Sequence, residues 1–222
     1  MKLNWRQEWP SLLLIAGMFI ATALSWSGAP DSIPVHWGIN GEVDRYGGKF
    51  EGLLLMPLLA AGIYLMLLFI PRIDPKRANY ERFANVYRII RIATLVFMAA
   101  LHGIIIAAVL GSGIDIGMVV MIMVGLLFAI LGNYFGKLKP TWFVGIRTPW
   151  TLTSDLSWDK THRLGGRLFV ILGLMLAAAG IVGQDWAFYL VFGLLFAMII
   201  FLVIYSYTVW KTDPDRRAGL AR

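Results

Sequence analysis

Asp155, Asp159 and His162 are spaced by four and three residues, so on a helix two carboxylates and an imidazole share one face. Groups of that kind can ligate a metal ion or act as general acid and base. A second chemistry overlaps the first. Arg147, Lys160, Arg163 and Arg167 flank the same run, and a guanidinium offers two parallel donors to a carboxylate or phosphate. A third arrangement needs no ligand: Arg147 and Arg163 pair with Asp155 and Asp159 while the rings of Trp150 and Trp158 pack on lipid. That self-satisfied knot, or a docking surface built from it, is the favoured reading, since ion-pair networks perturb titration without catalysing anything.

The other cluster lies in residues 30–49. Asn40-Gly41 suits a two-residue type I′ hairpin turn, because both residues tolerate positive φ. Such a turn sets Trp37 opposite Asp44 and His36 opposite Arg45. His36, Glu42 and Asp44 then lie close together, yet one imidazole and two carboxylates without helical spacing make a weak metal site, and none is expected. Aromatic and charged groups on a preformed hairpin suit peptide capture instead, with His36, Trp37 and Asp44 facing the ligand.

What must position these clusters is a membrane bundle. Of 222 residues, 59% are hydrophobic and 15% charged. The apolar residues fall into blocks at 10–28, 53–70, 89–110, 116–135, 164–182 and 186–210, each long enough to cross about 30 Å of hydrocarbon at about 1.5 Å per residue. Only helices or closed barrels satisfy a backbone without water, and continuous rather than alternating blocks select helices. The first block is too long for a cleavable signal, and Trp26 stands where cleavage would fall.

Charge orients the bundle. Segments on one side hold eighteen Lys and Arg, and those on the other hold only Arg45 and Lys49. The positive-inside rule therefore puts both termini in the cytoplasm and the 29–51 loop outside. Inner segments carry an excess of about eleven positive charges and outer segments about four negative ones. Anionic lipid, not nucleic acid, is the expected partner of the basic face. The chain has no Cys, which excludes disulfides and thiolate chemistry.

No Asp, Glu, Lys or Arg stands at the centre of a span; Arg91 and Arg167 lie near inner ends, where they are expected to snorkel. His102, midway along the third block, reads as an interhelical hydrogen bond. Pro57 is expected to kink the second span. The 71–88 connector reads as a solvated membrane-surface stretch, and Gly165-Gly166, Gly173 and Gly180 as close helix contacts. No phosphate loop, dinucleotide fingerprint, paired-His helix or serine elbow is present, so no enzyme and no cofactor are expected.

Gly145-Ile146-Arg147-Thr148-Pro149-Trp150-Thr151-Leu152, followed by Trp158, His162, Arg163 and Gly166, closely resembles the signature of the SdpI bacterial immunity proteins. Ile33-Pro34-Val35-His36-Trp37 with Gly41, Asp44 and Gly47 to Lys49 is similar to the domain of unknown function that often precedes it. The resemblance implies a non-enzymatic role: protection of a bacterium from a secreted toxic peptide, with reception that holds a cytoplasmic repressor at the membrane. By position, Asn133, Gly145, Arg147, Thr148, Pro149, Trp150, Trp158, His162 and Arg163 match the motif, and Thr141 stands where Asn is expected.

The expected molecule is an all-α, six-span inner-membrane protein with a small extracytoplasmic hairpin. Residues 1–88 would form a two-helix unit carrying that hairpin. Residues 89–222 would form a four-helix unit with a cytoplasmic signature loop at 136–167. Two other functions compete with immunity and sensing: a transporter or flippase with His102 and His36 on the route, and an enzyme using His162 with Asp155 or Asp159.

Overall fold

The structure, a computed structural model, describes residues 5–38 and 42–215. Among the described residues, six helices are long and apolar enough to cross a membrane: Gln7–Ser25, Phe50–Ile73, Ala84–Val109, Ile116–Phe135, Asp155–Val182 and Trp186–Lys211. The shortest has 19 residues and covers about 28 Å, close to the hydrocarbon thickness. The elements in order are α1 (Trp5–Ser25), β1 (Ile33–Trp37), β2 (Val43–Gly47), α2 (Leu55–Ile73), α3 (Asn79–Arg82), α4 (Ala84–Val109), α5 (Ile116–Phe135), α6 (Pro149–Thr153), α7 (Asp155–Val182) and α8 (Asp185–Lys211). A π-helical turn, Phe50–Leu54, leads into α2.

α1, α2 and α4 pack around Ile15, Met18, Ala60, Tyr64, Leu95 and Met98. α8 lies on α7, with Ala187, Val191, Met198 and Leu202 meeting Leu172, Leu176 and Ala179. Between α5 and α7 the contact is made by backbone. A Cβ on Gly132 would strike the Gly166 carbonyl, one on Gly125 the Gly173 carbonyl, and one on Gly180 would crowd the Met118 carbonyl. The partners recur every seven residues and run antiparallel, so one small-residue seam holds the pair at close range.

Two spans differ from expectation. α7 is one continuous helix from Asp155, whereas the apolar block begins only at 164. Gly165-Gly166 does not break it: Gly165 admits the Ile146 side chain and Gly166 the α5 backbone. Arg91 does not snorkel. It is 2% exposed and bonds Glu8 Oε1 at 2.7 Å, while the Tyr64 hydroxyl donates to Glu8 Oε2 at 3.1 Å. Glu8 sits within α1, not ahead of it, so each charge finds its opposite inside the bundle.

Candidate functional site

At the basic, inner end, the signature run is turned inward. His162 is fully buried; its Nδ1–H donates to the Trp158 carbonyl at 2.8 Å, and Nε2 accepts the Ile146 N–H at 2.8 Å. Both nitrogens are occupied, which fixes a neutral tautomer. Trp158 stacks on that ring at 4.0 Å between centroids and donates Nε1–H to the Leu138 carbonyl at 3.0 Å. Gly145 passes beneath with φ +113°, and a side chain there would run into His162 Nε2 and the Trp158 ring. Thr148 caps α6 reciprocally with Thr151 and meets the Ser206 hydroxyl of α8 at 3.0 Å. Ser154 caps α7 and donates to the Asp213 carboxylate beyond α8. Thr141 closes the start of the run, its hydroxyl donating to the Val144 carbonyl at 2.8 Å.

This speaks against one of the competing readings and corrects part of the favoured one. Asp155 is exposed, Asp159 is half-buried, and neither bonds His162, so the three do not form an acid–base or metal face. The polar knot exists, but hydroxyls, His162 and backbone hold it. No ion pair joins Arg147 or Arg163 to Asp155 or Asp159, and Trp158 is 0% exposed, not on lipid. Arg147 instead donates Nη1–H to the Trp142 carbonyl at 2.8 Å. Of the residues singled out by sequence, Thr148, Trp158 and His162 are therefore scaffold. Arg147, Pro149 and Arg163 are exposed, and Trp150 is half-buried against Tyr207.

The 71–88 connector is no passive surface stretch; it clamps the signature run. Asp74, 2% exposed, accepts from the Lys76 N–H at 2.7 Å, the Tyr80 hydroxyl at 2.9 Å and the Trp142 N–H at 2.9 Å. Burial, and then the Asp74 bond, push the Tyr80 hydroxyl well above its ordinary range, so it stays a donor. Asn79 donates to the Pro140 carbonyl at 2.8 Å and Lys76 Nζ to the Leu152 carbonyl at 3.1 Å. Tyr80, Phe83 and Tyr87 pack with Leu138 and Trp158. Sequence reasoning missed this clamp, although aromatics at i, i+3 and i+7 are the signal of a buried helical stripe.

At the other end β1 and β2 form an antiparallel hairpin. His36 faces Arg45 as expected, but Trp37 faces Val43, not Asp44. The register slips on both sides of His36, leaving Val35 and Asp44 out of the backbone pairing. Asp44 Oδ1 then meets His36 Nδ1 at 2.6 Å. The Asn40-Gly41 turn lies outside the described residues; the Gly38 N–H donates to the Glu42 carbonyl at 2.9 Å just before it. Arg45 pairs with Glu51 at 2.7 Å, and Lys49 with Asp31 at 3.5 Å. Ile33 is fully buried and anchors the hairpin on Leu53, Ala29 and Ile106.

The hairpin leans over the second half of the bundle. Val35, His36, Trp37 and Gly38 form one wall of a cleft of about 410 Å³; the starts of α5 and α8 and the end of α7 form the others. Asp115, Met118, Met121, Gln184 and Phe188 line it, and none was singled out from sequence; Gly180, read there only as a helix contact, lines it too. Below, His102 is fully enclosed. Its Nε2–H reaches Thr22 Oγ1 at 3.0 Å and the Met18 carbonyl at 3.3 Å, the interhelical bond its isolation suggested.

Six spans, a capped outer end and a clamped basic inner end define a multi-pass protein of the cell membrane. Residues 137–206 match the SdpI/YfhL protein family, and residues 13–61 match a domain of unknown function, DUF1648. Over 203 residues, 90% of this chain and 94% of the relative, it is 21% identical to the protein named Immunity protein SdpI of Bacillus subtilis (strain 168). It is 32% identical to an uncharacterized protein of Archaeoglobus fulgidus over 76 residues, 34% of this chain and 41% of that one. No solved structure matches.

Proposed function

We propose that the chain is a membrane immunity protein that protects its cell from a secreted toxic peptide, met at the outer cleft. The observation that carries this reading is the cleft's construction. Its hairpin wall lies in the stretch that matches DUF1648, and its α7 and α8 walls in the stretch that matches the SdpI family. The named relative spans both stretches in one chain. In this reading His36, Trp37 and Asp44 face the peptide, and the N-terminal unit, residues 1–88, supplies the cap.

A sensing role extends the same reading. The exposed Arg147, Pro149 and Arg163, with the edge of Trp150, form the surface on which a cytoplasmic repressor docks. Asp74 and the Trp142 N–H tie that surface to the inner end of α2, whose outer end carries the hairpin. Expression in a bacterium sensitive to a secreted membrane-active peptide tests the proposal. Survival should rise with the intact chain and fall back with Trp37→Ala. Unchanged killing across a panel of such peptides, with the protein verified in the membrane, would overturn it.

A further inference from the structure

We infer that the outer cleft takes a cationic, amphipathic stretch of peptide, with bulky apolar side chains against Trp37, Met118 and Phe188 and an ammonium or guanidinium beside Asp115. The inference rests on the immunity reading only in taking the ligand to be a peptide. Size admits it: about 410 Å³ lies within the roughly 300–1,000 Å³ of ligand clefts. The walls explain the apolar part. Val35, Val120, Met121 and Phe188 give it an apolar lining.

Charge decides the rest. Among the described residues no Lys or Arg lines the cleft. The two basic residues of the outer segments are held elsewhere, Arg45 by Glu51 and Lys49 by Asp31 and the Trp26 carbonyl. Asp115 stands on the rim, and Asp44 backs His36. The starts of α5 and α8 each bring about half a positive charge and the end of α7 about half a negative one. Asp115 caps α5, its carboxylate accepting the Met118 N–H at 3.0 Å. The carboxylates therefore outweigh the helix ends, and the site is electronegative. Trp37 and Phe188 add faces on which a cation is favoured.

Asp115→Asn separates charge from architecture, because Asn caps a helix as well as Asp does. The full chain in phosphatidylcholine nanodiscs is titrated with a dye-labelled amide of Leu-Trp-Lys-Leu-Phe-Lys and with its counterpart carrying Glu in place of both Lys, against empty nanodiscs. The Lys peptide should bind the protein and the Glu peptide should not. Asp115→Asn should weaken Lys-peptide binding by about threefold to fivefold, added salt should weaken it further, and Val120→Trp should block it. Equal binding of the two peptides, or Lys-peptide binding indifferent to Asp115→Asn, would overturn the inference, and neither result depends on Val120→Trp folding. Loss of the charge preference leaves the immunity reading standing; peptide binding without protection from killing removes only the immunity reading.

Discussion

The Tyr87 hydroxyl donates to the Leu67 carbonyl, the acceptor that Pro71, four residues on and lacking an N–H, leaves without its helical partner. The arrangement recurs one membrane leaflet away. Pro57 lacks the donor for the Leu53 carbonyl, and the Thr22 hydroxyl of α1 supplies one at 3.1 Å. Both prolines of α2 thus become points of attachment, one to α4 and one to α1, because a bare carbonyl in hydrocarbon must find a donor.

Tyr87→Phe should lower stability by about 1–3 kcal/mol, the penalty for a buried acceptor left unsatisfied. Adding Pro71→Ala restores an N–H to the Leu67 carbonyl, so the double variant should melt above Tyr87→Phe alone. Thermal unfolding of the purified protein in detergent measures both. A double variant no more stable than the single one would show that Tyr87 acts through packing alone.

Gly145→Ala should disorganise the signature run while leaving the six spans inserted. Its φ of +113° is strained for any side chain, at about 1–3 kcal/mol, and the added Cβ strikes the His162–Trp158 stack. Faster proteolysis between 136 and 154 in inside-out vesicles is the expected outcome. A cleavage pattern like that of the parent protein would refute the role given to Gly145.

Asp74→Ala strands three donors, each costing about 1–3 kcal/mol if left unsatisfied, and should free the 71–88 clamp. The chain has no Cys, so Asn79→Cys with Pro140→Cys gives a clean crosslinking pair. Crosslinking should be efficient with Asp74 and fall sharply with Asp74→Ala. Persistence of the crosslink would mean that aromatic packing alone seats the clamp.

The spans are legible because hydrocarbon demands long apolar runs whatever the tertiary fold; 116–135 is the same in sequence and structure. Helical spacing placed His162 with Asp159 on one face but not which way that face turns, and the turn decides between chemistry and scaffold. The Trp37 pairing failed for a similar reason, since turn chemistry does not reveal irregularities farther along the strands. Asp74 with Trp142 and Glu8 with Arg91 leave no local pattern at all, being 68 and 83 residues apart. Of the binding residues named from sequence, those at the outer end line or back the cleft. Three of the seven inner ones, Thr148, Trp158 and His162, are buried within the framework.

The Glu8–Arg91 pair bears on how the first three spans hold together. Arg91→Met alone leaves the Glu8 carboxylate, among the described residues, with only the Tyr64 hydroxyl, and breaking a buried pair on one side costs about 3–5 kcal/mol. Replacing both charges removes their desolvation as well as their attraction, so Glu8→Gln with Arg91→Met should recover at least half of that loss. Unfolding of the two single variants and the double variant, taken as a cycle, gives the coupling directly. Additive losses would mean that the charges contribute independently and that the apolar contacts of Ile15, Ala60 and Leu95 hold α1 against α2 and α4. A recovering double variant would instead make the pair a device for registering α1 on α4, since its charges are tolerated only when they meet.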